Sequence, residues 1–323
     1  MKTRWWRPQP ARSILAIALL ALVIAPVAGF AAEEQAPATS AEPTDPSIFI
    51  AMNDRANALR EQGDLEEARD LGEQVLAGLT EALGPDDPST VIAMNNLANT
   101  LRDQGDLDAA RDLGERVFEV QTRILGSDHA DTLIAMNNLA NTLWDLGDRA
   151  LAVVLYRQAI DALTETLGPD DPKTLIAMNN FANSLRDNGD LEGARDLGDR
   201  VMQAQNRILG PDHPNTLIAM SNLAKTVREM GDLDGAVYLF ELLDEIRTET
   251  LGPEHPDTLD ARDELGITAI YEGDLERARE LFEQVIEART RVLGADHPET
   301  QRSRSNLEFT LAAIEEASTA ATD

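Results

Sequence analysis

Apolar residues in this chain fall at helical spacing, and they do so in copies. In residues 83–124, LGPDDPSTVIAMNNLANTLRDQGDLDAARDLGERVFEVQTRI, Met94, Leu97, Ala98 and Leu101 recur at intervals of three and four. That spacing puts them on one face of a helix, here called A. Leu107, Ala110, Leu113 and Val117 do the same for a second helix, B. The punctuation agrees with both. Pro88 stands at the first position of A, where its missing N–H costs nothing, with Asp87 as N-cap. Gly105 closes A in the left-handed conformation, Asp106 opens B, and Gly126 ends it.

The same signals return every 42 residues: Leu-Gly pairs begin at Leu83, Leu125, Leu167, Leu209, Leu251 and Leu293, and Gly-Asp pairs at Gly63, Gly105, Gly147, Gly189, Gly231 and Gly273. A helix pair of this length cannot bury its apolar stripe alone, so successive pairs must stack. The prediction is an all-α fold, an α-solenoid of tandem antiparallel helix pairs over residues 47–317, six pairs and a lone C-terminal helix. The first unit begins near Asp45, and its Asp64 and Glu67 have the spacing of a capping box. Its Arg55 stands where later units carry Leu97, Leu139, Phe181 or Leu223, which suits a terminal unit with one face in water. Residues 299–317 lack a second Gly-Asp turn and form the closing cap, with 318–323 expected to fray.

Small Ala98, Leu101, the Gly105 turn and Ala110 match the tetratricopeptide pattern, and L-G-x-D-H-P together with N-N-L-A resembles its 42-residue, kinesin-light-chain-type subclass. The resemblance covers residues 47–316 in six registered copies. It implies a right-handed superhelix whose A helices line a concave groove for an extended peptide. Two positions depart from the pattern. Met94 replaces the frequent Trp, and Gly72, Gly114 and Gly198 stand where larger residues are usual and where other units carry Tyr156, Phe240 and Phe282. The glycines imply either closer packing and bending or simple drift between copies.

Residues 1–31 stand apart. Lys2, Arg4, Arg7 and Arg12 precede an apolar run from Ile14 to Phe30, and Gly29 and Ala31 have the spacing of a signal-peptidase site, so cleavage is predicted after Ala31. The alternative is an uncleaved N-terminal membrane anchor. Export, to periplasm or medium, follows from the first reading. Residues 32–46, rich in Ala, Pro, Glu and Thr, read as a disordered linker. The predicted start of the solenoid at 47 follows from that.

Composition narrows the function. The chain has no cysteine, which excludes a disulfide framework, a thiol nucleophile and thiolate metal sites. Its net charge is -30, and removing the leader would take away basic residues only. Such a field repels phosphate backbones and anionic lipid, so neither nucleic acid nor a membrane surface is an expected partner. A solvated acidic surface, a high-salt habitat and a cationic partner all remain open as reasons for the acidity.

The candidate site lies on the A helices. Asn96, Asn138, Asn180 and Asn222 form one row, continued at Asn306, with Asn57, Asn99, Asn141 and Asn183 three residues on. Arg60, Arg102, Arg186 and Arg228 follow after three more, Trp144 interrupting. Residues three apart share a helix face. An Asn amide both donates and accepts, so a ladder of them can hold an extended backbone whatever its side chains. The Arg row would favour carboxylates of the ligand, and Trp144 would either form an apolar pocket for a ligand side chain or pack, partly exposed, between helices. The competing reading is that the amides bond neighbouring helices and keep units in register, in a purely structural or self-associating array. Toward the C-terminus Glu264, Ile267 and Ile270 replace these types, which centres any channel on units two to four.

His129, His213, His255 and His297 share one loop position, spaced too widely to meet around one ion, so a loop role is expected and no metal or other cofactor. No nucleophile elbow, phosphate-binding loop or zinc-protease motif occurs, and no enzyme activity is expected.

Overall fold

A computed structural model describes residues 45–320. In chain order its helices are α1 (Pro46–Gln62), α2 (Leu65–Leu83), α3 (Pro88–Gln104), α4 (Leu107–Leu125), α5 (Ala130–Asp145), α6 (Arg149–Thr166), α7 (Pro172–Asp187), α8 (Leu191–Leu209), α9 (Pro214–Glu229), α10 (Leu233–Leu251), α11 (Pro256–Glu272), α12 (Leu275–Val292) and α13 (Pro298–Ala320). Odd numbers are A helices and even numbers B helices, antiparallel within each pair. The leader and nearly all of the linker fall outside the described residues. The first helix starts at Pro46, inside the stretch read as linker, and α13 runs to Ala320, beyond the point where fraying was expected. No helix among the described residues is long and apolar enough to cross a membrane.

Each A helix begins the same way. Asp45, Asp87 and Asp171 accept the N–H of Ser47, Ser89 and Lys173 at 2.9, 2.8 and 2.8 Å. In the other units a histidine does this work: Nδ1 of His129, His213 and His255 accepts the N–H two residues on at 3.2 Å, and that of His297 at 3.3 Å. The ring must present an unprotonated Nδ1 to do so. A threonine then ties the helix back to its loop, as Thr174 Oγ1 donates to the Gly168 carbonyl at 2.9 Å, with Thr216, Thr258 and Thr300 repeating the bond.

The turn between A and B depends on Gly63 and its repeats, which hold φ values of 80–91° that only glycine adopts freely. The following Asp then caps helix B unevenly. Asp148, Asp190, Asp232 and Asp274 accept a backbone N–H, whereas Asp64 and Asp106 make no side-chain cap bond. The capping box read at Asp64 and Glu67 is therefore not formed. Glu67 turns instead to the exposed Arg55, 3.3 Å away.

Packing between units follows the volume at one B position. Gly72, Gly114 and Gly198 lie directly under Leu97, Leu139 and Leu223 of the next A helix; a Cβ there would stand 3.1, 3.4 and 3.4 Å from the leucine Cδ1. In the third unit Tyr156 stacks on Phe181 with ring centroids 4.9 Å apart, and the two rings hold the backbones of α6 and α7 farther apart than those of the other adjacent pairs. At the N-terminal end the same compensation pairs Phe49 with Gly78.

Successive A helices approach one another at α1–α3, α3–α5, α5–α7, α7–α9 and α11–α13, while among the described residues no two successive B helices approach as closely. The array therefore curves with its A helices on the inner side. Between α9 and α11, where that approach is lost, long side chains span the gap: Arg228 reaches Glu264 at 2.8 Å and Lys225 reaches it at 3.0 Å. Burial alone would raise the Glu264 carboxyl, but these two cations bring it below its ordinary value.

The closing helix is bolted on by charge. Arg289 is 1% exposed. Its Nη1 donates to the Glu299 carbonyl at 3.0 Å and to Ser303 Oγ at 2.6 Å, and Nη2 pairs with Asp260. Ser303 in turn donates to Asp263, also buried, at 2.7 Å. Burial raises the carboxyls of Asp260 and Asp263 against the pull of Arg289. Removing one partner of such a cluster strands the others. Arg289→Met is expected to lower stability at neutral pH by about 3–5 kcal/mol. A carboxyl raised by folding binds its proton more tightly in the native state, so that loss should shrink on acidification toward the raised value. Chemical denaturation across pH, with hydrogen exchange on α13, measures both; a pH-independent loss would contradict the cluster.

Candidate functional site

An α-helix turns about 100° per residue, so positions 92, 96, 99 and 103 of a unit fall on one narrow face. The constant 42-residue step repeats that face along the inner side of the array. It reads Ile92, Asn96, Asn99 and Asp103 in the second unit, and Ile176, Asn180, Asn183 and Asp187 in the fourth. All eight are at least partly solvent-accessible.

The two Asn rows have different occupations. Nδ2 of Asn96, Asn138 and Asn222 donates to Oδ1 of Asn53, Asn95 and Asn179 on the preceding A helix at 3.3, 3.0 and 3.1 Å. Asn306 continues the ladder to Asp263 at 3.4 Å. The rung missing from the series is that of Asn180, whose counterpart Asn137 is buried with neither side-chain polar atom hydrogen-bonded. In the second row Asn99 has no hydrogen-bond partner for its amide among the described residues, Asn183 Oδ1 accepts from Arg186 at 3.3 Å, and Asn141 Oδ1 accepts from the Tyr156 hydroxyl at 2.6 Å. That phenol is pushed up to about 12 by burial, partly offset by its bond with Ser184, so it stays protonated and able to donate.

The Arg row is occupied by the chain itself. Arg102 lies 3.2 Å from Asp103 and 3.6 Å from Asp145 on the next A helix. Arg186 repeats this with Asp187 at 3.2 Å and Glu229 at 3.6 Å. Arg228 is committed to Glu264 and lies over the rings of Phe240 and Tyr271. Each guanidinium of the row thus already lies beside an acid one unit on. Of its two readings, Trp144 takes the packed one. It is 6% exposed, packs edge-on against Tyr156 at 6.3 Å and carries Arg149 over its face at 5.6 Å, so it fills the core between α5 and α6 and lines no pocket.

Three further rows belong to the same face or its edge. Ile50, Ile92, Ile176 and Ile218 are roughly half exposed, with Ile134 less so. Their 42-residue spacing is visible in the repeated I-A-M, where hydrophobicity alone assigns them to the core. Glu61, Asp103, Asp145, Asp187 and Glu229 form an exposed acidic rim at the other end of the A helices. Asn53, Asn95 and Asn179 are the acceptors of the ladder. Only geometry separates them from the adjacent donors. Among the described residues no group of three or more His, Asp or Glu is placed to hold a metal ion.

A tetratricopeptide-repeat family model matches residues 47–123, 92–165 and 173–243, and a second such model matches 258–299. Among solved structures, BtubC (BKLC) from P. vanneervenii is 19% identical over 78% of this chain and 94% of its own, with a TM-score of 0.56. The apo quorum sensor NprR from B. thuringiensis is 16% identical over 82% of this chain and 69% of its own, with a TM-score of 0.55. A putative kinesin light chain from Podosopora anserina with nearly identical repeats is 25% identical over 76% of this chain and 97% of its own, at a TM-score of 0.40. No curated protein matches the chain.

The two Asn rows should therefore separate on substitution. Asn138→Ala and Asn222→Ala each remove an inter-helix bond worth about 1 kcal/mol and leave an unpaired acceptor, so both should lower the melting temperature. Asn99→Ala should leave it unchanged. Equal losses at all three positions would show that the distinction between rows is wrong.

Proposed function

The chain belongs to the tetratricopeptide-repeat family and is on that ground a protein–protein interaction scaffold, and from this premise we propose that it captures an extended segment of another protein along the inner face of its A helices. What supports the reading is the recurrence of one partly exposed face, Ile92, Asn96, Asn99 and Asp103, in the same register along successive units. A segment lying along it meets an amide of the second row at Asn57, Asn99 and Asn183, and an amide pairs with backbone irrespective of the segment's sequence. In this division of labour Asn96, Asn138 and Asn222 hold the units in register through Nδ2, and Asn57, Asn99 and Asn183 are the ones that meet the ligand. Register is thus assigned to one row and ligand capture to the other.

The protein acts as an exported scaffold and not as an enzyme, the leader at residues 1–31 delivering it outside the cytoplasm. Ordering costs oppose the amide contacts, so a short segment binds at micromolar strength.

Photo-crosslinking tests the reading directly. A photoreactive residue replacing Asn99 or Asn183 should trap a partner polypeptide in the exported fraction, whereas one replacing Asp196, exposed on the B helix α8, should not. Trapping from Asp196 alone, or from none of the three, would refute capture on the A helices.

A further inference from the structure

The inner face also defines the chemistry of its ligand, given the capture proposed above. Two features decide it. The first is apolar: the exposed isoleucines Ile50, Ile92, Ile176 and Ile218 stand four residues before the first Asn row and on the same helix face. Branched aliphatic side chains repeated along one track gain from being covered, each fully covered one by about 1.5–3 kcal/mol.

The second is charge. Arg and acid alternate at the far end of the A helices, but at different depths. The Arg186 side chain is 15% exposed and Asp187 beside it 62%. Arg102 and Asp145, and Arg228 and Glu229, are layered in the same order, guanidinium below and carboxylate above. The arginines neutralise their neighbours from beneath, and a ligand arriving from solvent meets the carboxylates first. The capping aspartates Asp106, Asp148, Asp190 and Asp232 extend the acidic rim past the turn. The field of the whole chain, at a net charge of -30, has the same sign.

We propose that the partner segment is cationic and apolar: an extended stretch with an aliphatic residue about every third position, seated on the isoleucine row, and Lys or Arg between, facing the rim of Asp103, Asp145, Asp187 and Glu229. The interval follows from the spacing. Packed helices lie about 8–10 Å apart, and an extended chain in the polyproline II conformation advances about 3.1 Å per residue with three residues per turn, so every third side chain returns to the same face about one unit on. A segment of about twelve residues covers four units. Past α9 the track changes sides. Asp260 and Arg302 take the isoleucine positions, and Ile267, Ile270, Tyr271 and Phe309, the last 62% exposed, bring apolar surface to the opposite edge. The core of the site is therefore α1 to α9.

Three labelled peptides of about twelve residues test this, all extended and of equal length: one with Ile every third residue and Lys between, one with Ile and Glu, and one with Ser in place of Ile and Lys between. Fluorescence anisotropy on the full chain should give micromolar binding for the first and about tenfold or weaker binding for each of the others. Ile92→Ser with Ile176→Ser and Ile218→Ser should abolish the preference for the Ile–Lys over the Ser–Lys peptide, at unchanged net charge. Asp103→Asn with Asp145→Asn and Asp187→Asn should narrow the gap between the Lys and Glu peptides. Tighter binding of the Ile–Glu peptide, lost on Asn99→Ala, would overturn the cationic assignment and leave groove capture standing. Equal binding of the two Lys peptides, untouched by the Ile substitutions, would mean unspecific attraction to an acidic protein and would overturn the proposal. No binding of any peptide would overturn it together with the capture reading.

Discussion

The closer approach of successive A helices than of successive B helices is the constraint on which everything else rests. It gives the array its inner side and brings positions 42 residues apart close enough for short polar side chains to meet. Asn96 reaches Asn53, Asn138 reaches Asn95 and Asn222 reaches Asn179 because neighbouring A helices hold a fixed register. Packing of each B helix against the next A helix supports that register from the core side. Glycine accommodates leucine in three units, and Tyr156 meets Phe181 in another.

Charge acts at two depths with opposite consequences. At the C-terminal junction it is buried, where Arg289 and Asp263 exchange solvent for one another, and with the half-exposed Asp260 they attach the last helix. Such clusters add little net stability but make loss of one member expensive. On the inner face it is shallow. There the arginines are turned toward carboxylates of the next unit, and most of their effect is to bridge units while leaving acid outermost. A surface built this way presents carboxylates to solvent without burying any unpaired ion.

Most of the fold was legible in the sequence because its signals are local. Pro88 after Asp87, Gly105 before Asp106 and apolar residues at three and four all act within a few residues, and their repetition removes ambiguity. What could not be read depends on partners about 40 residues away. Nothing near Arg102 announces that Asp145 will take its charge, so the Arg row looked free. Trp144 looked exposed because it sits in a polar row, yet the bulk of Tyr156 and the ring-covering Arg149 draw it inward. The outward position of Ile92 is not announced by its hydrophobicity, because the helix face decides it. The histidines were placed correctly in the loops, but their role as N-caps needed the Nδ1 geometry.

Distances between spin labels test the constant register most directly. Pairs replacing Ile50 and Ile176, and Ile92 and Ile218, span the same number of units on the inner side. Asp70 and Asp196 span the same number on the B helices α2 and α8. The account predicts the same narrow inner distance for both isoleucine pairs, on the order of 30 Å for three helix spacings, and a longer one for the aspartate pair. Unequal or broad inner distances, or an outer distance no longer than the inner, would contradict it.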